Sequence, residues 1–367
     1  MLNGKISSVQ LAVIMFQFVL SSTVLLMPSI TTRLSEKDMW LTPLLGMGLG
    51  FLVVWLAYKL FKLSPEGSIV RLMESLFGTF LGKIVSILFI LFQFHIVAIS
   101  TRDYAEFIES NFFLETPIVV IIGTMLILCG WAVRRGFEVI ARTGQIFVPI
   151  ITLFTVLILI LLIPELNPLH LLPFMERGAG PLLQGSLVVD GWFSQLLLAV
   201  YIFPLVRDQD NIRKWGFWCV IGITFVMLAS NLAVFMLVGE SAGYYTYPVL
   251  MAARYIAYAE FFEHLEAIVM MVWVLGEYIK ISVYYYVITR GISDTFRLKK
   301  PEVIVMPVGL LLLFVCFWVG PDFQTVSSFI ANTGTSYILI GFVLFPLLLC
   351  ILAVIRGWFK GLGTSTK

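Results

Sequence analysis

Apolar residues along the chain come in blocks of about twenty, the length that crosses a bilayer as an α-helix. Charges, prolines and glycines collect in the breaks between blocks. Reading the runs against these breaks predicts ten spans, at roughly 9–32, 40–61, 83–110, 117–133, 141–163, 180–206, 213–238, 262–289, 303–319 and 329–356. Two connections are more than turns. The stretch S-P-E-G-S-I-V-R-L-M-E-S-L-F-G-T-F-L-G-K (Ser64–Lys83) alternates charged and apolar residues at helical spacing. This predicts a helix lying on the cytoplasmic interface. Tyr247–His264 is too apolar for a solvated loop and reads as a short helix packed over the outer mouth.

The basic residues orient the spans. With the N-terminus inside, 18 of the 24 Lys and Arg fall in cytoplasmic segments and only Arg33, Lys37, Arg177 and Arg254 fall outside. Positive loops resist translocation, so both termini are expected to be cytoplasmic. Arg102 and Lys280 lie within spans. Composition agrees with a multi-pass membrane protein: of 367 residues, 60% are hydrophobic and 13% charged, about half the charged share of a soluble domain. Mean hydropathy is +0.99. A net charge of +2, without basic tracts interleaved with aromatics, argues against nucleic acid as a partner. Cys129, Cys219, Cys316 and Cys350 all sit in apolar runs and read as small core residues. The first apolar run, from near Val9, is too long for the core of a cleavable signal peptide and is expected to remain as a span. With no phosphate loop, metal motif or nucleophile–base pair, neither a cofactor nor enzyme activity is expected.

Polar residues at depth carry the functional question. Span one contains V-L-S-S-T-V-L-L-M-P (Val19–Pro28). A single Ser or Thr in a membrane helix usually bonds back to the preceding turn or lets a neighbour approach. Three in a row followed by a proline suggest an opened helix, where hydroxyls satisfy freed backbone groups and amides face a substrate. Span eight carries Glu277 and Lys280 on neighbouring positions of one face, where an unpaired charge costs roughly 3 kcal/mol. They form either a mutual ion pair or a site in which Lys280 replaces a coupling cation and fixes span eight against span one. In span three, His95 follows Gln93 at mid-depth, and Arg102 and Glu106 are spaced for an i,i+4 salt bridge. Asp190 is a candidate partner of Arg102 or a rim residue. Glu260, Glu263, His264 and Glu266 read as a solvated outer face.

S-S-T-V-L-L-M-P resembles the G-S-G-V-F-L-L-P type of motif in the first helix of amino acid–polyamine–organocation (APC) transporters, with both glycines replaced, by Ser21 and Thr23. The resemblance implies a LeuT-like 5+5 inverted repeat: a single transmembrane domain over 1–367, with repeats at 9–163 and 180–356. Span six would then pair with span one and unwind near Trp192–Gln195. A-R-T-G (Ala141–Gly144) and A-N-T-G (Ala331–Gly334), starting spans five and ten, fit such a repeat.

The stretch Tyr247–Ser282 is similar to the B subunits of spore germinant receptors, the endospore germination permease branch of that superfamily. The matching residues are Pro248, Arg254, Tyr255, Ile256, Glu260, Phe261, Glu263, Leu265, Glu266, Trp273 and Lys280, with His264 standing where Arg is usual. The L-F-G-x-x-L-G-K ending at Leu76–Lys83 also fits. This resemblance implies an all-α, ten-helix subunit in the inner membrane of a spore, binding a small amino-acid germinant at the midplane. Its partners would be an A subunit, a lipoprotein C subunit and membrane lipid. The expected binding residues are Ser21, Ser22 and Thr23 in span one, His95 and Ile99 in span three, and Phe193 and Ser194 in span six, beside Glu277 and Lys280. A proton-coupled amino-acid transporter shares the same fold and stands as the alternative.

Overall fold

The computed structural model describes residues 5–64, 68–173, 175–256, 265–320 and 322–364. Among these, regular structure is helical throughout, and eight stretches are long and apolar enough to cross a membrane. The first of them, Ser8–Leu63, contains two helices, α1 (Ser8–Ser35) and α2 (Thr42–Leu63). Val305–Val319 is a shorter apolar helix.

Helix α1 starts with a capping box. The Ser7 amide donates to Gln10 Oε1 at 2.8 Å and the Gln10 amide donates back to Ser7 Oγ at 3.1 Å. It ends where Glu36 turns to φ +48°. From Gln17 to Thr32 every residue except Val24 is buried, so this helix runs through the middle of the bundle. It is also unbroken. Pro28 removes one backbone donor, but Thr31 and Thr32 hydroxyls donate to the carbonyls of Met27 at 2.8 Å and Pro28 at 2.6 Å. The opening expected of span one is absent: the helix runs unbroken from Ser8 to Ser35 through Pro28, and these hydroxyls bond within it.

After α2 comes the short helix α3 (Ile69–Phe77), which buries Ile69, Val70, Leu72 and Met73. The long α4 (Thr79–Asn111) follows, then α5 (Ile118–Arg135) and α6 (Phe137–Leu162). At 33 residues, α4 is about 50 Å long, well beyond the hydrocarbon core. The glycines of L-F-G-x-x-L-G-K now have reasons. Gly78 takes φ +84° at the α3–α4 corner, and a Cβ on Gly82 would lie 2.5 Å from Glu74 Cα. Only a bare backbone lets α3 fold back against α4. Gly82→Val is expected to destabilise the protein by about 1–3 kcal/mol or more through overpacking against main chain, read as a lower melting temperature in detergent; an unchanged melt would contradict the close approach.

The second half contains α7 (Ala179–Ser194), α8 (Ile212–Val238), the short α9 (Pro248–Tyr255), α10 (Leu265–Phe296) and α11 (Val305–Val319). The expected span 180–206 is not one α-helix: at Gln195 it tightens into a 3-10 helix running to Tyr201. The last rod comprises α12 (Phe323–Ser328), α13 (Thr335–Leu339) and α14 (Phe345–Thr364), joined by π-helical segments at Phe329–Gly334 and Ile340–Leu344. Glu260, Phe261, Glu263 and His264 lie outside the described residues.

The segment after α7 is tied to the start of α1. Ile6 and Val206 form a parallel bridge, and Asp208 accepts from the Ser8 amide at 2.8 Å and from the Ser8 hydroxyl. The Ser8 hydroxyl bond holds the Asp208 carboxyl below its ordinary range. A lowered folded-state pKa stabilises above the ordinary carboxylate range, and that contribution fades as pH falls through the lowered value. Asp208→Asn should therefore lower stability near neutral pH and flatten the acid side of the profile, so that variant and native chain converge at low pH, as measured by melting temperature between pH 3 and 7.

Candidate functional site

Three buried features meet beside the middle of α1. Gly276 lets α10 approach closely, since a Cβ there would lie 2.7 Å from Gln17 Nε2 and 3.4 Å from Ser21 Cα. One turn on, Lys280 is 3% exposed and its ammonium donates to Ser22 Oγ at 2.6 Å. Glu277, fully buried, takes the Ser100 hydroxyl on Oε2 at 3.2 Å, while its Oε1 has no partner among the described residues. The two charges of span eight thus point to different neighbours, α1 and α4, and do not form a mutual ion pair among the described contacts.

These groups border a cavity of about 70 Å³. Helix α1 contributes Ser22, Leu26 and Ile30, at i, i+4 and i+8. Helix α4 contributes Ile96, Ile99, Ser100 and Asp103, again one helical face. Gly191 and Trp192 line it from the end of α7, Gln195 from the 3-10 turn, and Phe329, Gly334 and Thr335 from the first π segment and the start of α13. Two of the polar groups are anchored from behind. Tyr284 donates to Gln195 Oε1 at 3.0 Å, and Tyr247 donates to Asp103 Oδ1 at 3.5 Å while packing on Phe107 and Trp273. Asp103 and Glu277 both attract the Lys280 ammonium. The cavity therefore offers a cation on one wall and a carboxylate on another, with apolar surface between. A water needs roughly 10–15 Å³ by the same measure, so the space fits a molecule of a few heavy atoms.

The structure sorts the expected residues. Ser22, Ile99 and Lys280 reach the cavity. Ser21 and Thr23 bond back to the carbonyls of Phe18 and Val19, and Ser21 faces away. His95 lies edge-on against Phe329 and Tyr337, at 5.3 and 5.1 Å between ring centres, behind the cavity wall. Phe193 packs towards Gly50 of α2, and Ser194 donates to Gly191 O at 2.7 Å. Asp190 does not meet Arg102: its Oδ1 lies near Gly46 and has no partner among the described residues, whereas Arg102 Nε donates to Glu106 at 2.8 Å. Asp103, Ser100, Gln195 and Trp192 were not expected in the site. The i, i+3, i+4, i+7 pattern of Ile96, Ile99, Ser100 and Asp103 was the available signal.

Comparison with known proteins follows this geometry. A family model described as spore germination protein matches residues 5–324. The chain belongs to the spore germination protein family. Within that family it is similar to spore germination protein KB of Bacillus subtilis (strain 168), 28% identical over 363 residues covering 96% of this chain and 95% of that one. Spore germination protein YndE of the same organism is 24% identical over 359 residues, covering 96% and 97%. Spore germination protein GerQB of Bacillus cereus is 24% identical over 335 residues, covering 89% of each. These relatives accord with the B-subunit resemblance of Tyr247–Ser282.

Two solved structures share the fold. A Na+-coupled sialic acid symporter in a substrate-bound outward-open state superposes with a TM-score of 0.66 at 14% identity, covering 93% of this chain and 80% of that one. MHP1, a nucleobase-cation-symport-1 family transporter in a closed conformation with bromovinylhydantoin bound, gives 0.69 at 13%, covering 95% and 78%. The fold is thus the LeuT-like one of secondary transporters, and this family member is a multi-pass membrane protein of permease type.

Proposed function

We propose that the chain is the amino-acid-sensing subunit of a spore germinant receptor, and that the cavity beside Ser22 holds the germinant. The observation that carries this reading is the placement of Lys280 and Asp103 on one small cavity whose other described lining residues are uncharged. A zwitterion satisfies both: its carboxylate takes the Lys280 ammonium and the Ser22 hydroxyl, and its ammonium takes Asp103. The short apolar space between them suits a small aliphatic side chain. In this reading Lys280 supplies the fixed positive charge beside α1, so binding needs no sodium. Ten crossings follow if α1 and α2 cross separately and α11 crosses too, arranged as five plus five with both termini cytoplasmic. The subunit would sit in the inner membrane of the spore with an A subunit and a lipoprotein C subunit. Ligand binding would favour one arrangement of α1, α7 and α10 by its difference in affinity between two arrangements.

A second reading, proton-coupled amino-acid transport, is favoured by one observation: Glu277 Oε1 is a buried carboxylate oxygen without a partner among the described residues, placed to carry a proton. Labelled alanine presented to proteoliposomes of the full chain separates the two. The sensor reading expects stoichiometric, sodium-independent binding and no accumulation under a proton gradient. Accumulation above the binding stoichiometry would replace it with the transporter.

A further inference from the structure

Helix α1 lines a cavity on each side. Opposite the face of Ser22, the residues Gln17, Leu20, Ser21 and Val24 border a larger space of about 100 Å³, closed by α6, α8, α9 and α10. Its chemistry differs from that of the first. No lining residue is charged, and most are aliphatic. At its edge stand Val156 and Phe225, 45% and 70% exposed, on helices long and apolar enough to cross the membrane. A side opening there faces hydrocarbon, not water.

One donor is out of place in this wall. Trp273 lines the cavity and is 1% exposed, yet its indole Nε1 has no acceptor among the described residues. A buried N–H without a partner is costly, and in a membrane no water stands by to relieve it. An occupant able to satisfy it must bring an acceptor oxygen. It must also be uncharged, because the walls offer no countercharge, and mostly hydrocarbon, because the walls are.

We infer that this cavity is a second ligand site, taking an uncharged single-chain amphiphile from the bilayer, whose oxygen accepts the Trp273 indole N–H. The site stands apart from the amino-acid reading of the first cavity but touches the same framework. Ser21 and Ser22 are back to back on α1, and Trp273 packs on Tyr247, which reaches Asp103.

The test is photolabelling of the full chain in lipid nanodiscs with a diazirine-bearing long-chain alcohol, mapped by peptide mass spectrometry. Crosslinks are expected on the cavity face of α1 and α8, competed by excess 1-dodecanol. Ala229→Phe, which fills the space, should cut them at least roughly tenfold in protein that melts normally. Trp273→Phe keeps the ring and removes the N–H. It should weaken competition by 1-dodecanol roughly 2- to 12-fold, the worth of one hydrogen bond, while leaving competition by dodecane unchanged. Labelling confined to the outer lipid-facing surface would overturn the site, as would labelling that a folded Ala229→Phe variant leaves intact. A diazirine phospholipid that labels the same walls without competition from dodecanol would assign the space to ordinary lipid tails and likewise overturn it.

Discussion

Replacing Lys280 with methionine is expected to abolish the response to amino-acid germinants while the protein accumulates at its normal level. Methionine fills nearly the same volume, so the packing of α10 against α1 at Gly276 is retained. The change removes the one basic group among the described residues lining the cavity, its hydrogen bond to Ser22, and the positive charge that Asp103 and Glu277 face. A charge-assisted bond to a ligand carboxylate is worth about 1.5–3 kcal/mol, or roughly 10- to 150-fold in affinity. The true loss should exceed this, because two buried carboxylates would then face an anionic ligand group unopposed. Binding of labelled alanine to the purified chain and germination of spores carrying the variant, with protein level checked by immunoblot, both report it. Wild-type germination at normal protein level would remove Lys280 from the site.

That expectation rests on a distinction visible only in three dimensions. Most of the spans, the helix at Ile69–Phe77 and the buried charges were legible in the residues, because bilayer length and helical period constrain them strongly. The LeuT-like architecture was implied by the family resemblance. The break between α7 and the 3-10 turn also falls at Gln195, at the edge of the stretch the resemblance implied. What was not legible is azimuth. Successive residues of a helix point about 100° apart. A face chosen as His95 and Ile99 therefore shares only Ile99 with the one that lines the cavity, Ile96, Ile99, Ser100 and Asp103. The same shift separates Phe193 and Ser194 from Gly191 and Trp192, and Ser21 and Thr23 from Ser22. Which face turns inward is decided by distant neighbours, such as Gly50 receiving Phe193 and Gly276 admitting α10. The π segments of the last rod were hidden for a related reason. An extra residue per turn leaves no mark in an apolar pattern, yet it places Phe329 and Gly334 at the cavity.

The second large effect tests the polarity of the bound ligand. Asp103→Asn keeps shape and removes a charge from the wall opposed to Lys280. If the ligand ammonium sits at Asp103, alanine affinity should fall by about 1.5–3 kcal/mol, roughly 10- to 150-fold. Propionate, which has the same carboxylate and no amine, should bind the variant no worse than the native chain. It should in fact bind slightly better, because an anionic neighbour has been neutralised. Native protein should show the reverse preference, rejecting propionate since Asp103 would be left facing an apolar methylene. The comparison separates a specific ammonium contact from general damage. Damage to the cavity, or loss of the Tyr247 bond that holds this carboxylate, would weaken both ligands together. Equal losses for alanine and propionate would therefore reverse the assignment, leaving Asp103 as a framework residue under the outer helix and Lys280 as the sole charged anchor of the site.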